Sequence, residues 1–154
     1  MTRVLVPRER RAGEHRVAAT PETVKRLQAR GCELWVECGA GLAAGFPDDH
    51  YREAGARLLD LDGAEGQPHW GQADVVLSVQ GASLAEQQPG LEQLRPGALL
   101  IGLLEPHGNT PLQEALQQQQ LSALALELLP RISRAQTMDV LSSQANVAGY
   151  KAVL

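Results

Sequence analysis

Two periods of apolar positions alternate along the chain. Short apolar or alternating runs, typical of strands, occur at 3–7, 33–37, 74–79, 98–104 and 122–127. The run from Ala98 to Leu104 is apolar on both faces, as in a buried parallel strand. Helix starts lie between these runs at Thr20, Pro47 and Pro111, whereas 64–69 has the pattern of a loop.

The alternation of strands and helices through the whole length predicts the fold class. Strand–helix–strand units favour parallel strands that are joined by right-handed crossovers. The sequence contains no repeat and no linker. We therefore expect one α/β domain with three layers and a doubly wound, mostly parallel sheet. Such a lobe is flavodoxin-like or Rossmann-like, here without the dinucleotide fingerprint.

The last segment, from Gln136 to Leu154, has a helical pattern that runs to the final residue. It ends on Val153 and Leu154 without a C-cap or another stop signal. We therefore expect the natural reading frame to continue, or another segment to complete the helix. An exposed apolar end also predicts self-association, and we expect a homodimer.

Composition limits the choice of partners. The chain has 154 residues, of which 44% are hydrophobic and 21% charged, as in an ordinary soluble domain. Its formal net charge of −4 argues against nucleic acid as the main partner. The longest apolar stretch, 98–104, is far too short to cross a membrane, so we expect no direct membrane insertion.

Neither the cysteines nor the histidines form a pattern that indicates chemistry. Cys32 and Cys38 have no second pair and do not have a zinc or redox spacing. We expect both to be buried free thiols in a reducing cytosol. The histidines are scattered and pair with no nucleophile, so hydrolase chemistry has no support.

The segment Gly39–Gly45 contains three glycines after a strand and resembles a dinucleotide-binding fingerprint. Asp60 and Asp62 even lie about twenty residues on, where a ribose-binding acid would be. The fingerprint requires a helix N-terminus that faces the pyrophosphate. Here Pro47 starts the helix later, and Asp48 puts negative charge where phosphate would lie. We interpret the segment as a structural turn.

Five arginines crowd the first sixteen residues against two glutamates, Glu9 and Glu14. A carboxylate or phosphate site and a solvated loop are both compatible with this pattern, and base rates for charged surface favour the loop. The arginines are Arg3, Arg8, Arg10, Arg11 and Arg16.

The richest polar stretch follows the last predicted strand. Within a helix, Gln136, Asp139 and Ser143 would lie on one face, preceded by Arg131 and Arg134. The same residues fit a structural role, because Ser133 and Gln136 have the spacing of a capping box. Asp139 would then favour the helix dipole. The spacing alone leaves a binding site and a helix start equally open.

Two segments carry a resemblance to a known family. The sequence EHRVAATPETV at 14–24 resembles the opening shared by alanine dehydrogenases and transhydrogenase alpha subunits. The segment 126–154 resembles the branch of proton-translocating NAD(P) transhydrogenase alpha subunits specifically. The similarity runs along essentially the entire chain.

Two positions separate the branches of the family. By resemblance, alanine dehydrogenases carry a substrate lysine where this chain has Gln80, and a catalytic histidine where it has Glu105. Amino-acid oxidation needs such a basic group and such an acid/base. Arg16, the other carboxylate anchor of those enzymes, is retained, so an alanine dehydrogenase-like fragment stays as the alternative. A truncated module that only associates with a partner is a third possibility.

The resemblance implies which residues contact the cofactor. Arg131, Gln136 and Asp139 match the loop that orients the nicotinamide of NAD(H), and Ser142 matches a further contact. Gln136 would also face the partner that holds NADP(H). Hydride would pass directly between two nicotinamide rings, so these residues would act by positioning.

The resemblance also implies how the chain is organised. Residues 1–135 would form the first lobe of the NAD(H)-binding domain, and 136–154 a truncated inter-lobe helix. The lobe with the glycine fingerprint would be absent, so we expect weak or no NAD binding and no catalysis by this chain alone. The implied partners are the membrane and NADP(H)-binding subunits. They would hold it in the cytoplasm, peripheral to the inner membrane.

Overall fold

A computed structural model describes residues 1–62, 66–81 and 90–153. Within these ranges six strands form one all-parallel sheet in the order β3-β2-β1-β4-β5-β6. The strands are β1 (Thr2–Val6), β2 (Cys32–Glu37), β3 (Arg57–Leu59), β4 (Val75–Leu77), β5 (Leu99–Gly102) and β6 (Ser122–Ala125). The predicted α/β fold with a doubly wound parallel sheet is confirmed.

Helices connect the strands. The α-helices are α1 (Pro21–Gln28), α2 (Asp48–Glu53), α3 (Gln67–Gln72), α4 (Thr110–Gln118) and α5 (Val140–Val153). Short 3₁₀ segments cover Leu42–Ala44, Leu91–Gln93, Leu126–Leu128 and Ser133–Met138. The prediction of a loop at 64–69 is wrong where α3 begins, because six residues are too few to show a helical period.

The start of α1 shows how the local sequence determines an element. The Thr20 side chain accepts a hydrogen bond from the Thr23 backbone N–H at 3.3 Å, and Pro21 is the first helical residue. This is the predicted N-cap, which satisfies one of the free donors at a helix start. After the helix, Gly31 adopts a φ of +85°, a conformation that glycine takes without strain.

The core lies on both faces of the sheet. One cluster of buried side chains contains Leu5, Trp35, Val76 and Leu100. The other contains Val4, Val6, Leu34 and Val36, from alternate positions of β1 and β2. Because successive side chains of a strand point to opposite faces, this alternation buries both faces and gives three layers.

The strand order reverses between β1 and β4. β1 pairs with β2 on one side and with β4 on the other, and the chain moves outward in both directions from that point. In open parallel sheets, ligands bind in the crevice outside the carboxyl ends of the strands at such a reversal. The segments after β1, β4, β5 and β6 all lie at this edge.

The last helix begins later than its pattern predicts. Residues Ser133–Met138 form a 3₁₀ segment, Asp139 has an extended backbone with ψ of 94°, and α5 starts at Val140. The predicted helix start at Gln136 is therefore wrong. Among the described residues of α5 none is buried, and Val153 is 88% exposed.

Candidate functional site

A cleft of about 420 Å³ lies at the carboxyl edge of the sheet. Its walls are mostly apolar, with side chains from the ends of β4 and β5, from the turn after β6 and from the first turn of α5. They include Leu77, Val79, Ile101, Leu103, Leu126, Val140 and Leu141. Arg16, Ser78 and Gln144 add polar groups. An apolar cleft with a few polar groups is typical of a small-molecule site.

Arg16, the cationic side chain of this cleft, is paired within the chain. Its guanidinium donates to both carboxylate oxygens of Glu14, at 2.8 and 2.7 Å. The hydrogen bonds from Arg16 lower the pKa of Glu14 to about 2, although burial works against this. The positive charge beside the cleft is thus balanced by a carboxylate that stays ionised.

Gln80 and Glu105, the two positions that separate the branches of the family, belong to one hydrogen-bonded group. The Gln80 amide donates to Glu14 at 2.9 Å, and Arg11 donates to the Gln80 oxygen at 3.0 Å. Arg11 also lies 3.5 Å from Glu105, whose φ is 50°. The Glu127 carboxylate fixes this strained backbone by accepting from the Glu105 N–H at 2.5 Å. No basic side chain occupies either position.

The four predicted site residues line a second cavity, of about 380 Å³. They are Arg131, Gln136, Asp139 and Ser142. Asp139 accepts hydrogen bonds from the Ser142 hydroxyl at 2.6 Å and from the Ser142 N–H at 3.0 Å. Arg131 lies 3.8 Å from the Asp139 carboxylate and donates to the Ser142 oxygen at 3.4 Å. These bonds with Ser142, and then the charge of Arg131, lower the pKa of Asp139.

This arrangement does not come from a single helix face. Gln136 lies in the 3₁₀ segment and Ser142 in α5, with Asp139 as the N-cap between them. Ser143 bonds the Asp139 carbonyl instead of lining the cavity. The predicted capping box is wrong, because Ile132 precedes the 3₁₀ segment and makes no side-chain cap. Asp139 therefore caps the start of α5 and also lines the cavity.

The turn Gly39–Gly45 is held by contacts within the chain. The Gly39 N–H already donates to the Asp48 carboxylate at 2.8 Å. A Cβ on Gly41 would lie 2.6 Å from the Phe46 carbonyl oxygen and from the Tyr51 ring, so the backbone is packed closely there. The geometry agrees with the structural interpretation of this turn.

The amino-terminal arginines form ion pairs that sequence reasoning missed. Arg10 lies 2.7 Å from Glu37 and 2.5 Å from Asp62, and Arg8 lies 2.8 Å from Asp62. Glu37, the last residue of β2, is buried. Burial raises the pKa of Glu37, and the Arg8 N–H and the guanidiniums offset part of that effect. Arg8 and Arg10 are thus paired within the chain, in a loop whose residues 11–13 are exposed.

The signal for these pairs was the acid at the end of an apolar strand. Glu37 follows Leu34, Trp35 and Val36, and a buried acid needs a partner. Sequence alone did not say which arginine would supply it.

The cysteines do not match the prediction of two buried thiols. Cys32 is partly buried, but Cys38 is exposed, because it lies just after β2 at the edge of the sheet. In the part of the chain that the structure describes, no group of three histidine, cysteine or acidic side chains could hold a metal ion. No described helix has the length and apolar character needed to cross a membrane.

The reversal of strand order in an open parallel sheet defines an α/β lobe of the doubly wound class. The sequence model of one family, described as the alanine dehydrogenase/PNT N-terminal domain, matches residues 5–148. The chain belongs to this family, as its sequence predicts.

The relatives include both branches of the family. The chain is 43% identical to the NAD(P) transhydrogenase subunit alpha of Cereibacter sphaeroides, over 96% of this chain and 27% of the relative. It is 33% identical to alanine dehydrogenase of Bacillus subtilis, over 96% of this chain and 36% of that enzyme. A solved transhydrogenase from Sinorhizobium meliloti matches with a TM-score of 0.86 and 40% identity, covering 98% of this chain and 41% of that one. The chain thus spans between about a quarter and two fifths of the length of these relatives.

Proposed function

We propose that this chain is the N-terminal portion of the NAD(H)-binding subunit of an NAD(P) transhydrogenase. The complete assembly would move hydride between NAD(H) and NADP(H), coupled to proton translocation through other segments. The observation that carries the proposal is the cavity in which Arg131, Gln136, Asp139 and Ser142 come together. The higher identity to a transhydrogenase subunit than to an alanine dehydrogenase supports it.

The side chains of this cavity fit a nicotinamide. Its carboxamide carries both N–H donors and a carbonyl acceptor, and the cavity offers both kinds of partner. Asp139 supplies acceptor oxygens, Arg131 supplies donors, and the Gln136 amide supplies both N–H donors and a carbonyl acceptor without titrating. When bound, the nicotinamide supplies the hydride chemistry.

The protein's own contribution would be orientation. Asp139 is held by two bonds with Ser142 and by Arg131, so its carboxylate has a defined direction before a ligand arrives. A preorganised partner lowers the entropy that must be lost when two rings are brought together. Gln136 is exposed and would face the NADP(H)-binding partner.

The organisation in lobes follows from the same proposal. The first lobe comprises residues 1–135, and the segment 136–154, in which α5 begins at Val140, connects the two lobes, while another part of the complete subunit would bind the pyrophosphate. The turn at Gly39–Gly45 supports this, because the Gly39 N–H is already bonded to Asp48 and the backbone at Gly41 is closely packed. By itself the chain then binds NAD(H) weakly or not at all and transfers no hydride.

The proposed partners are the membrane and NADP(H)-binding subunits, together with a second copy of the subunit in a homodimer. They hold the chain in the cytoplasm, peripheral to the inner membrane. Large apolar side chains are exposed along the segment 128–141, which supports a covered surface there. They are Leu128, Ile132, Met138 and Leu141, each between 50% and 54% exposed.

An alanine dehydrogenase-like activity is the second candidate, and Arg16 at the wall of the larger cleft is the observation that favours it. The surroundings of Arg16 argue against it. Glu14 already accepts from Nε and Nη2 of the guanidinium, and Gln80 adds an uncharged amide. A substrate carboxylate would have to share Arg16 with the Glu14 carboxylate or displace it.

The test uses the complete subunit assembled with its partners. We expect Gln136→Ala to lower the transfer of deuterium from labelled NADH to NADP⁺ by more than about tenfold. The matched control is Gln117→Ala, an exposed glutamine of α4, which we expect to leave transfer unchanged. Equal rates for Gln136→Ala and the control would contradict the proposal, and alanine-dependent reduction of NAD⁺ would support the second candidate.

A further inference from the structure

Glu9 is held at the reversal of strand order by three hydrogen bonds that the proposed function does not use. Its carboxylate accepts from the Ser78 hydroxyl at 3.0 Å, from the Val79 N–H at 2.6 Å and from the Gln80 N–H at 3.0 Å. We infer that residues Ser78, Val79 and Gln80 form an oxyanion-binding nest whose ligand is the chain's own Glu9 carboxylate. This inference does not rest on the proposed function.

The position of the nest explains why its backbone N–H groups need an acceptor from outside the sheet. β1 and β4 pair through Val4–Val75 and Leu5–Val76, and beyond these pairs the two strands continue into separate loops. On its other side, the segment after β4 bonds β5, since the Ser78 N–H donates to the Ile101 carbonyl at 3.0 Å. The Val79 and Gln80 N–H groups are turned towards the β1 side, where Glu9 accepts both.

The chemistry of the nest favours anions. Two successive backbone N–H groups that converge with a hydroxyl present three donors to one small acceptor, and such concavities bind oxyanions. Open parallel sheets place their anionic ligands at this kind of crevice. Here an internal carboxylate takes that place, so the nest excludes an external phosphate or carboxylate while Glu9 remains.

Glu9 also determines the wall of the larger cleft. Ser78 and Val79 line that cleft, and the side chain of Gln80 donates to Glu14, the partner of Arg16. The three hydrogen bonds that Glu9 accepts therefore position the backbone that carries the Gln80 side chain. An anion that replaced the Glu9 carboxylate would restore the same positions.

The first experiment asks whether the nest accepts an external anion. In the 154-residue chain, Glu9→Ala removes the internal ligand, and sodium formate or inorganic phosphate is added at constant ionic strength. We expect saturable NMR shifts of the Val79 and Gln80 amides at millimolar anion in Glu9→Ala. The wild type and the control Glu53→Ala, at an exposed glutamate of α2, should show no such shifts.

The second experiment uses a variant of nearly identical shape. Glu9→Gln keeps the size of the side chain but loses the charge and one acceptor oxygen. We expect hydrogen exchange of the Val79 and Gln80 amides to become at least about tenfold faster, while the amide of Val36 in β2 keeps its rate. An unchanged exchange rate at Val79 and Gln80 would overturn the inference. So would a folded Glu9→Ala that binds neither formate nor phosphate.

Discussion

Two polar regions at the carboxyl edge differ in how their charges are satisfied. The switch-point cluster is formed by Glu9, Glu14, Arg16 and Gln80. It is closed on itself by the local pair of Glu14 with Arg16 and by bonds from Gln80 across long stretches of sequence. In the 131–142 segment, Arg131, Asp139 and Ser142 pair with one another over at most 11 positions, and the arginine is largely exposed. The side chain of Glu14 is 8% exposed, whereas that of Arg131 is 74% exposed.

The two regions show the difference between polar side chains that are paired within the chain and polar side chains that a ligand could contact. In the switch-point cluster, carboxylate and guanidinium are matched within the chain, so an incoming anion or cation must displace an existing partner. In the 131–142 segment, a defined set of donors and acceptors lines a cavity. Residue types alone do not make this distinction, because both regions are rich in arginine and acid.

The largest expected effect is on the rate of hydride transfer, when a side chain of the 131–142 segment is removed. In the complete assembly, Asp139→Ala should lower hydride transfer by roughly 100-fold, since a ligand that is poorly oriented reacts far more slowly. The rate of deuterium transfer from labelled NADH measures this. Asp49→Ala, at an exposed acid in the first turn of α2, is the control and should keep the wild-type rate. A wild-type rate for Asp139→Ala would contradict the proposal that the 131–142 segment orients the nicotinamide.

A substitution in the switch-point cluster should instead lower the stability of the fold. Glu14→Gln in the 154-residue chain should lower the free energy of unfolding by about 1.5 kcal/mol, because two charge-assisted bonds are lost beside a partly exposed arginine. Urea unfolding gives the value. The matched control is Glu22→Gln, which breaks an exposed acid–arginine pair with Arg26 and should cost about 0.5 kcal/mol or less. Equal costs for the two variants would mean that Glu14 behaves as an ordinary surface acid.

The dependence of stability on pH also tests whether Glu14 is paired within the switch-point cluster. The pKa of Glu14 lies at about 2, below its ordinary value of 4.5, so its contribution is complete above pH 4.5 and is lost as the pH falls towards 2. The pKa of Glu37 is raised, so its contribution has the opposite sign and is lost as the pH rises through that raised pKa.

Urea unfolding of wild type and Glu14→Gln between about pH 2 and pH 6 tests the sign of the Glu14 contribution. The difference between the two proteins should shrink below pH 4.5. A difference that grows on acidification would contradict the pairing of Glu14 with Arg16.

The smallest expected effect is the change in stability when an exposed side chain of the 131–142 segment is replaced. Gln136 is exposed, so Gln136→Ala should change the free energy of unfolding of the 154-residue chain by less than about 0.5 kcal/mol. Thermal or urea unfolding checks this. A larger loss would show that Gln136 supports the fold and would weaken its interpretation as a residue that faces a partner.

The sequence predicts most of the strands because their signals are local. The runs at 3–7 and 33–37 agree with β1 and β2 within about one residue, since strand periodicity is visible in a few positions. The cap at Thr20 is equally readable. In contrast, the sequence pattern starts the last helix at Gln136, whereas α5 begins at Val140. Asp139 caps α5 from an extended backbone, and a helical pattern of side chains does not reveal such a break.

The sequence selects a candidate set of residues but does not predict their geometry. Resemblance to the family selects Arg131, Gln136, Asp139 and Ser142, and the structure places all four around one cavity. The switch-point cluster was not foreseen, because the bonds of Gln80 with Glu14 and Glu9 join residues 66 and 71 positions apart. Such contacts depend on the strand order, which the sequence pattern leaves open.

Hydrogen–deuterium exchange of the complete subunit, with and without NADH, tests the central claim most directly. NADH should protect the 131–142 segment, while 9–16 and 78–81, which contain the switch-point cluster, keep their exchange rates. Protection confined to 9–16 and 78–81, with none in the 131–142 segment, would contradict the account.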